Sequence, residues 1–232
     1  MHHQNDQLAD DIPGIDAWIP WHPDEAMKQL AGVPSSWCVA GGWALDLWLG
    51  NQTRPHHDLE IAVLRSDFAT FRTRLSRFDF FAAADGKVSV LPSEESPHPQ
   101  DHQVWVLDQP AKIWRMDILL EPGDIDTWVF RRDETIRCPR SQMIAVTREE
   151  MPYLKPEGVL LYKAKTTRPK DEDDFRVCAS LMAFAARTWL KSALVRSYPL
   201  HHWIDQLGWL IRCILAAVHM VEDGTHFPDG DQ

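Results

Sequence analysis

Two carboxylates set one residue apart, Asp58 and Glu60, open the run Asp58-Leu59-Glu60-Ile61-Ala62-Val63-Leu64. Period-two alternation in a strand sends Asp58 and Glu60 to one face and turns Leu59 and Ile61 toward the core. Carboxylates so placed suit Mg²⁺, a hard ion that takes one or two of them together with phosphate oxygens and water. Upstream, Gly41-Gly42 falls between the apolar run Trp37-Cys38-Val39-Ala40 and a second run from Trp43 to Leu49. A glycine pair between a strand and a helix lets the backbone approach phosphates, with N–H groups of the first helical turn pointing at the anion. Each signal alone has a bland reading, an ordinary turn for the glycines and a solvated strand edge for the acids. In combination they meet two needs of phosphoryl-transfer chemistry: a phosphate cradle, and carboxylates for metals that stabilise the entering and leaving oxygens of an in-line attack.

The elements that must position these groups can be read along the chain. Residues 1–23 carry turn formers and charge without periodicity and read as a loose arm, with Trp18 and Trp21 as docking points. Asp24 to Leu30 forms a short helix, Trp37 to Ala40 a buried strand, and Trp43 to Leu49 a helix stopped by Gly50. Ser66 is placed to cap an amphipathic helix bearing Phe68, Phe71, Leu75 and Phe78. A strand pair follows around Asp85-Gly86, then a polar loop from Pro92 to Gln100. Further strands are expected at His102 to Leu107 and Lys112 to Glu121, with short β segments as far as Val146. Past Pro156 the pattern turns helical: Glu157 to Lys165, Lys170 to Ala186, Thr188 to Arg196 and His201 to Val221. The expected class is therefore α+β, with a mixed-sheet catalytic domain over residues 24–150, a helical domain over 151–221 and a frayed tail over 222–232. The many tryptophans, among them Trp43, Trp48, Trp105, Trp114 and Trp128, are expected mostly in the core.

The stretch GGWALDLWLGNQTRPHHDLEIAV, Gly41 to Val63, resembles the signature of aminoglycoside nucleotidyltransferases of the DNA polymerase β-like superfamily. The match takes in the Gly-Gly-Trp-Ala start, Asp46, the Leu49-Gly50 helix end, Thr53-Arg54, His56 and the acid-hydrophobic-acid strand. The resemblance implies that Gly41 and Gly42 bind nucleotide phosphates and that Asp58 and Glu60 bind Mg²⁺. The chain departs from the antibiotic-modifying members at Glu60, where Asp is usual; the wider superfamily accepts Glu, whose longer side chain still reaches a metal. Trp114 to Pro122 resembles the segment that supplies a third carboxylate, which implies Asp117 as a metal ligand or a general base, with Glu121 in reserve. Leu160 to Lys165, with Arg168 to Phe175, resembles the family's helical domain, where a lysine approaches the triphosphate; Lys163 is chosen over Lys165. Arg54 and His56 or His57 border the metal strand, either touching phosphate or fixing the loop, and Arg54 is carried as a phosphate contact. The acids from Asp171 to Asp174 are expected at a helix start on dipole grounds and are assigned no chemistry.

The chain has 232 residues, enough for one sizeable core plus a smaller appended domain, and a formal net charge of -10. That charge argues against nonspecific binding to long nucleic acid, which depends on neutralising phosphates, and leaves a small or cationic acceptor as the better partner. The four cysteines, Cys38, Cys138, Cys178 and Cys213, form no CxxC pair, so a reducing cytoplasm and no zinc knuckle are expected. No signal-peptide core and no membrane-length apolar run is present. The leading expectation is a Mg²⁺-dependent adenylyltransferase moving AMP from ATP to a hydroxyl of a small molecule with release of pyrophosphate. By family precedent the acceptor is an aminoglycoside and the role antibiotic resistance. The alternatives are a protein-modifying nucleotidyltransferase of toxin-antitoxin type and a nucleotide-binding module without turnover.

Overall fold

The structure, a computed structural model, describes residues 12–84 and 86–212. The chain divides into two compact units, Met1–Lys155 and Pro156–Gln232. The first contains α1 (Pro23–Gln29), β1 (Trp37–Val39), α2 (Gly41–Leu49), β2 (Glu60–Leu64), a 3-10 turn (Arg65–Asp67), α3 (Phe68–Arg74), β3 (Asp79–Ala84) and β4 (Lys87–Val90). It continues with β5 (Gln103–Asp108), β6 (Ile113–Glu121), β7 (Thr127–Val129), β8 (Arg137–Pro139), α4 (Arg140–Met143), β9 (Ile144–Val146) and β10 (Pro152–Leu154).

Eight strands form one mixed sheet in the order β4-β3-β5-β6-β2-β1-β10-β9, and β7 pairs with β8 in a separate ribbon. Two neighbouring pairs are parallel, β2 with β6 and β1 with β10; the others in the large sheet are antiparallel. The central strands are long and apolar because both their faces are covered, and Leu59, Ile61, Val63, Ile118 and Leu120 are buried. Trp114 and Trp128 are fully buried, whereas Trp43, Trp48 and Trp105 are half-buried. Gly50 closes α2 in the left-handed conformation, φ 76°, and its N–H donates to the Asp46 carbonyl.

Several expectations change. Within the stretch expected to be a loose arm, residues 12–21 are fastened to β6: Trp114 Nε1 donates to the Gly14 carbonyl at 2.9 Å and Trp21 N–H to Arg115 at 3.0 Å. Trp18 lies edge-on to Trp105 at 5.0 Å, so buried aromatic area offsets the weak local propensity. Ser66 does not cap the following helix; its hydroxyl donates to Asp67 Oδ1, and α3 begins at Phe68 after the 3-10 turn. That helix stops at Arg74, yet Leu75 and Phe78 remain buried beyond it. β10 was unforeseen, a three-residue strand that pairs Tyr153 with Val39, and it carries the first unit to Lys155.

The second unit holds α5 (Pro156–Lys163), α6 (Pro169–Leu181), α7 (Phe184–Ser197) and a helical stretch over residues 203–212. The single helix expected from Lys170 to Ala186 is broken at Met182 and Ala183, both with extended ψ. The Arg187 guanidinium compensates the break by donating to the carbonyls of Ala179 and Ser180, both at 2.7 Å. Phe175 and Trp203 stack at 4.3 Å in the core of this unit. Asp85, Cys213, the helix expected past residue 212 and the tail lie outside the described residues. No helix among the described residues is long and apolar enough to cross a membrane.

Candidate active site

β2 and β6 run parallel, and their register sets Glu60 directly beside Asp117. Neighbouring residues in register share a sheet face, so two carboxylates meet on one side of the sheet. Asp58 precedes β2 by two residues, half-buried, and Leu59 between them accepts a hydrogen bond from Asp117 N–H at 2.8 Å, which keeps the pairing running. The side chain of Asp117 is buried, with 4% of its surface exposed. Its Oδ2 accepts from Gln103 Nε2 on β5 at 2.7 Å, and its Oδ1 has no hydrogen-bond partner. Burial pushes the Asp117 carboxyl well above the usual range; the Glu60 charge adds to this, Gln103 works against it, Asp58 raises it further, and the Trp105 indole, facing the carboxyl from β5, lowers it slightly.

Glu60 in turn lies across Gly41. A Cβ at Gly41 would sit 1.6 Å from Glu60 Oε2, and Gly41 has φ 60°, where side chains are strained. Glycine is therefore required twice at this turn, for the backbone and for the carboxylate. Gly41 opens α2, and no side chain caps that helix end. The N–H groups of its first turn and the positive end of its dipole are thus presented beside Glu60, an arrangement suited to an anion.

Behind the turn, Asp46 on α2 is buried and ties down the connector to β2. Its oxygens accept from Thr53 Oγ1 at 2.6 Å and from His56 Nε2 at 2.5 Å, and Arg54 Nη1 stands 3.1 Å from His56 Nδ1. Arg54 and His56 occupy the room that Gly42 leaves: a Cβ there would meet Arg54 Nη2 and the His56 ring at 2.6 Å. His57 is exposed and takes no part in this network.

The expected residues of the first unit thus gather at one place, Gly41, Gly42, Arg54, Glu60 and Asp117, with Asp58 at its edge. Glu121, the reserve acid, is spent elsewhere: it accepts from Arg140 Nη1 at 3.0 Å and from Trp128 Nε1 at 3.2 Å. Lys163 lies in the helical unit, where its Nζ is 2.7 Å from Asp171 and 3.0 Å from Asp174. Sequence reasoning missed Gln103, whose signal was a polar residue heading four apolar ones in the strand beside the one bearing Asp117. It also gave no chemistry to Asp171 and Asp174, which hold Lys163.

No group of three or more His, Cys, Asp or Glu side chains among the described residues stands close enough, as placed, to hold a metal ion. The donor chemistry nevertheless fits a hard divalent cation. Glu60 at the start of β2 lies beside Asp117 in the middle of β6, Asp58 comes two residues before Glu60, and one Asp117 oxygen is buried without a well-formed hydrogen bond. A cation there would offset the burial and the carboxylate repulsion that together raise Asp117.

The fold is that of a nucleotidyltransferase. The described architecture aligns with the crystal structure of ANT(2'')-Ia in complex with adenylyl-2''-tobramycin at a TM-score of 0.50 and 13% identity, covering 75% of this chain and 95% of that one. Residues 24–99 match the family model for aminoglycoside-2''-adenylyltransferase, a segment that contains the glycine turn, Asp58 and Glu60 and ends before Asp117. A solution structure of ANT(2'')-Ia is similar at a TM-score of 0.49 and 15% identity, over 79% of this chain and 95% of that one. A nucleotidyltransferase-like protein from Paracoccidioides brasiliensis is similar at 0.41 and 13%, over 88% and 93%. No curated protein sequence matches the chain.

Proposed function

We propose that this chain is an adenylyltransferase that moves AMP from ATP to a hydroxyl of a small, polycationic acceptor of the aminoglycoside class. One observation carries the reading: Asp117 and Glu60 stand in register on parallel strands, against a glycine turn, with a buried Asp117 oxygen that makes no well-formed hydrogen bond and a carboxyl that has the Trp105 indole as its one further donor besides Gln103. Buried polar atoms without partners are uncommon in folded proteins and call for a ligand, an ion or a water.

In this reading the N–H groups at the start of α2 seat the triphosphate, and Gly41 and Gly42 let it come close. Asp58 and Glu60 would hold Mg²⁺, and Asp117 would complete the set or stand beside it as the base. The ion supplies positive charge where negative charge builds on the transferring phosphoryl group and the departing pyrophosphate. Arg54 adds a fixed cation beside the phosphates. The acceptor oxygen bonds to the α-phosphorus as the bond to the β-phosphate bridge breaks, and pyrophosphate leaves. The hydroxyl proton goes to a carboxylate; Asp117, whose raised proton affinity suits that task, takes it if it is not spent as a ligand. Lys163 contributes to the triphosphate only by leaving Asp171 and Asp174, so the proposal does not lean on it.

The match of residues 24–99 to the aminoglycoside-2''-adenylyltransferase model supports the acceptor class, and the acidic balance of the chain suits a polycation. The test is pyrophosphate release with ATP and Mg²⁺ across an aminoglycoside panel, with mass spectrometry of the acceptor for an added AMP. Release that depends on one acceptor and is lost in Asp58→Ala is the expected result. Release at a wild-type rate in that variant, or none with any acceptor, would sink the reading.

A further inference from the structure

We propose that Asp46 acts through His56 to hold the Arg54 guanidinium over Gly42, making Asp46 and His56 positioning residues for the nucleotide phosphates. The inference rests on the nucleotidyl-transfer reading above and extends it to two side chains behind the glycine turn.

The hydrogen-bond chemistry leaves one arrangement. Asp46 and His56 are both nearly sealed from water, their side chains 4% and 3% exposed. The Asp46 carboxylate only accepts, and a guanidinium only donates. His56 lies between them, with Nε2 at 2.5 Å from Asp46 Oδ2 and Nδ1 at 3.1 Å from Arg54 Nη1. The imidazole must then carry its proton on Nε2 and present a lone pair on Nδ1, so Asp46 selects the tautomer that Arg54 requires. A second observation points the same way. Gly42, in the first turn of α2, is where a Cβ would collide with Arg54 Nη2 and with both His56 Cε1 and Nδ1, each at 2.6 Å. The guanidinium is thereby held against the helix end at which the phosphates are placed. Pinning the connector alone would not need this. Thr53 already ties it to Asp46 at 2.6 Å, and the second nitrogen of His56 is directed to a cationic side chain rather than to the loop backbone. Trp43 lies against the imidazole at 4.6 Å and fixes its plane.

The critical variant is Asp46→Asn, which keeps the shape but offers an N–H where His56 has its own. His56 then has to move its proton to Nδ1, where it faces Arg54 donor to donor. Ring-nitrogen NMR of the full chain without nucleotide should find the His56 proton on Nε2 in wild type and on Nδ1 in Asp46→Asn. Calorimetry with ATP and Mg²⁺ should show about tenfold weaker binding in Asp46→Asn, the size of one lost charge-assisted hydrogen bond. Arg54→Gln should lose as much, and the double variant no more than Arg54→Gln alone. Two substitutions at His56 separate positioning from packing. His56→Asn keeps an acceptor near the place of Nδ1 and should retain most of the binding, whereas His56→Gln keeps only the contact to Asp46 and should not.

A wild-type proton on Nδ1, additive losses in the double variant, or tighter binding by His56→Gln than by His56→Asn would each overturn the inference. Wild-type chain that binds no ATP overturns the nucleotide reading and this inference together. Normal ATP binding with an unaltered tautomer in Asp46→Asn overturns this inference alone.

Discussion

In the first unit, Asp117 is buried beside Glu60 with one oxygen unbonded; in the helical unit, Asp171 is as deeply buried but is gripped by Lys163 and by Arg168. Burial works against the charged form of both. At Asp171 the Arg168 and Lys163 hydrogen bonds and the Lys163 charge outweigh it and bring the carboxyl down to about 2. At Asp117 the nearest charges are carboxylates of the same sign, and the carboxyl is pushed up. The difference separates an acid that holds a fold together from one kept short of its counter-charge. Like charges crowded together in a low-dielectric setting cost stability, and in the proposed reading a bound cation offsets that cost.

The largest expected effect breaks the comparison on the unpaired side. Asp117→Asn should reduce pyrophosphate release by about 10³-fold or more, roughly 4 kcal/mol of transition-state stabilisation. The same substitution should leave the thermal midpoint unchanged or raise it, because it removes a buried charge that repels Glu60. Loss of activity accompanied by unfolding would mean that Asp117 is a structural acid like Asp171.

On the paired side the expectation reverses. Lys163→Met leaves Asp171 and Asp174 without their shared ammonium and should cost about 3–5 kcal/mol in urea unfolding, the usual penalty for orphaning a buried charge. Unchanged stability with a raised KM for ATP would instead return Lys163 to the triphosphate, where the family resemblance puts it.

These two clusters also mark what could be read from the sequence and what could not. The period-two alternation around Leu59 and Ile61, and the glycine stop at Gly50, are local signals, and both elements appear close to where they were expected. The grouping of Glu60 with Asp117 depends on a parallel pairing between strands with 48 residues of chain between them. Alternation gives the face of each strand but not its neighbour, so only the family resemblance anticipated that partnership. Gln103 was missed for the same reason: its place at the head of an apolar run takes on a role only once β5 lies against β6. The break at Met182 and Ala183 was missed because helix propensity runs through it; the long-range donors of Arg187 make the interruption tolerable. Lys163 and the acids that follow it sit one helix apart in sequence, and nothing in their spacing revealed that they would satisfy one another.

Acid titration should sharpen the contrast at a smaller scale. The folded-state value of Asp171 is depressed from 3.8 to about 2, so its contribution is present in full above the unfolded value and is lost as pH falls through the folded one. The shift corresponds to about 2 kcal/mol that should disappear between roughly pH 4 and pH 2. Denaturant unfolding followed by the fluorescence of Trp203, which stacks on Phe175 in the same unit, reports it. In Asp171→Asn that part of the pH dependence should vanish.

The smallest effect tests whether the acids of the first unit seek a cation even without substrate. A ligand that binds only the folded chain stabilises it by RT ln(1 + [L]/Kd), so Mg²⁺ at about ten times its dissociation constant should add about 1.4 kcal/mol. The thermal midpoint of the wild-type chain should therefore rise with Mg²⁺ by a few degrees, and that of Asp58→Ala or Asp117→Asn should not. Lys163→Met provides the opposing control. By stripping the ammonium from Asp171 and Asp174 it makes that cluster more negative, with Arg168 still on Asp171, and if net charge alone attracts the ion, that variant should gain more from Mg²⁺ than wild type does. An equal gain in the two proteins would locate the response at Asp58, Glu60 and Asp117, where a strand face and a glycine turn supply geometry as well as charge.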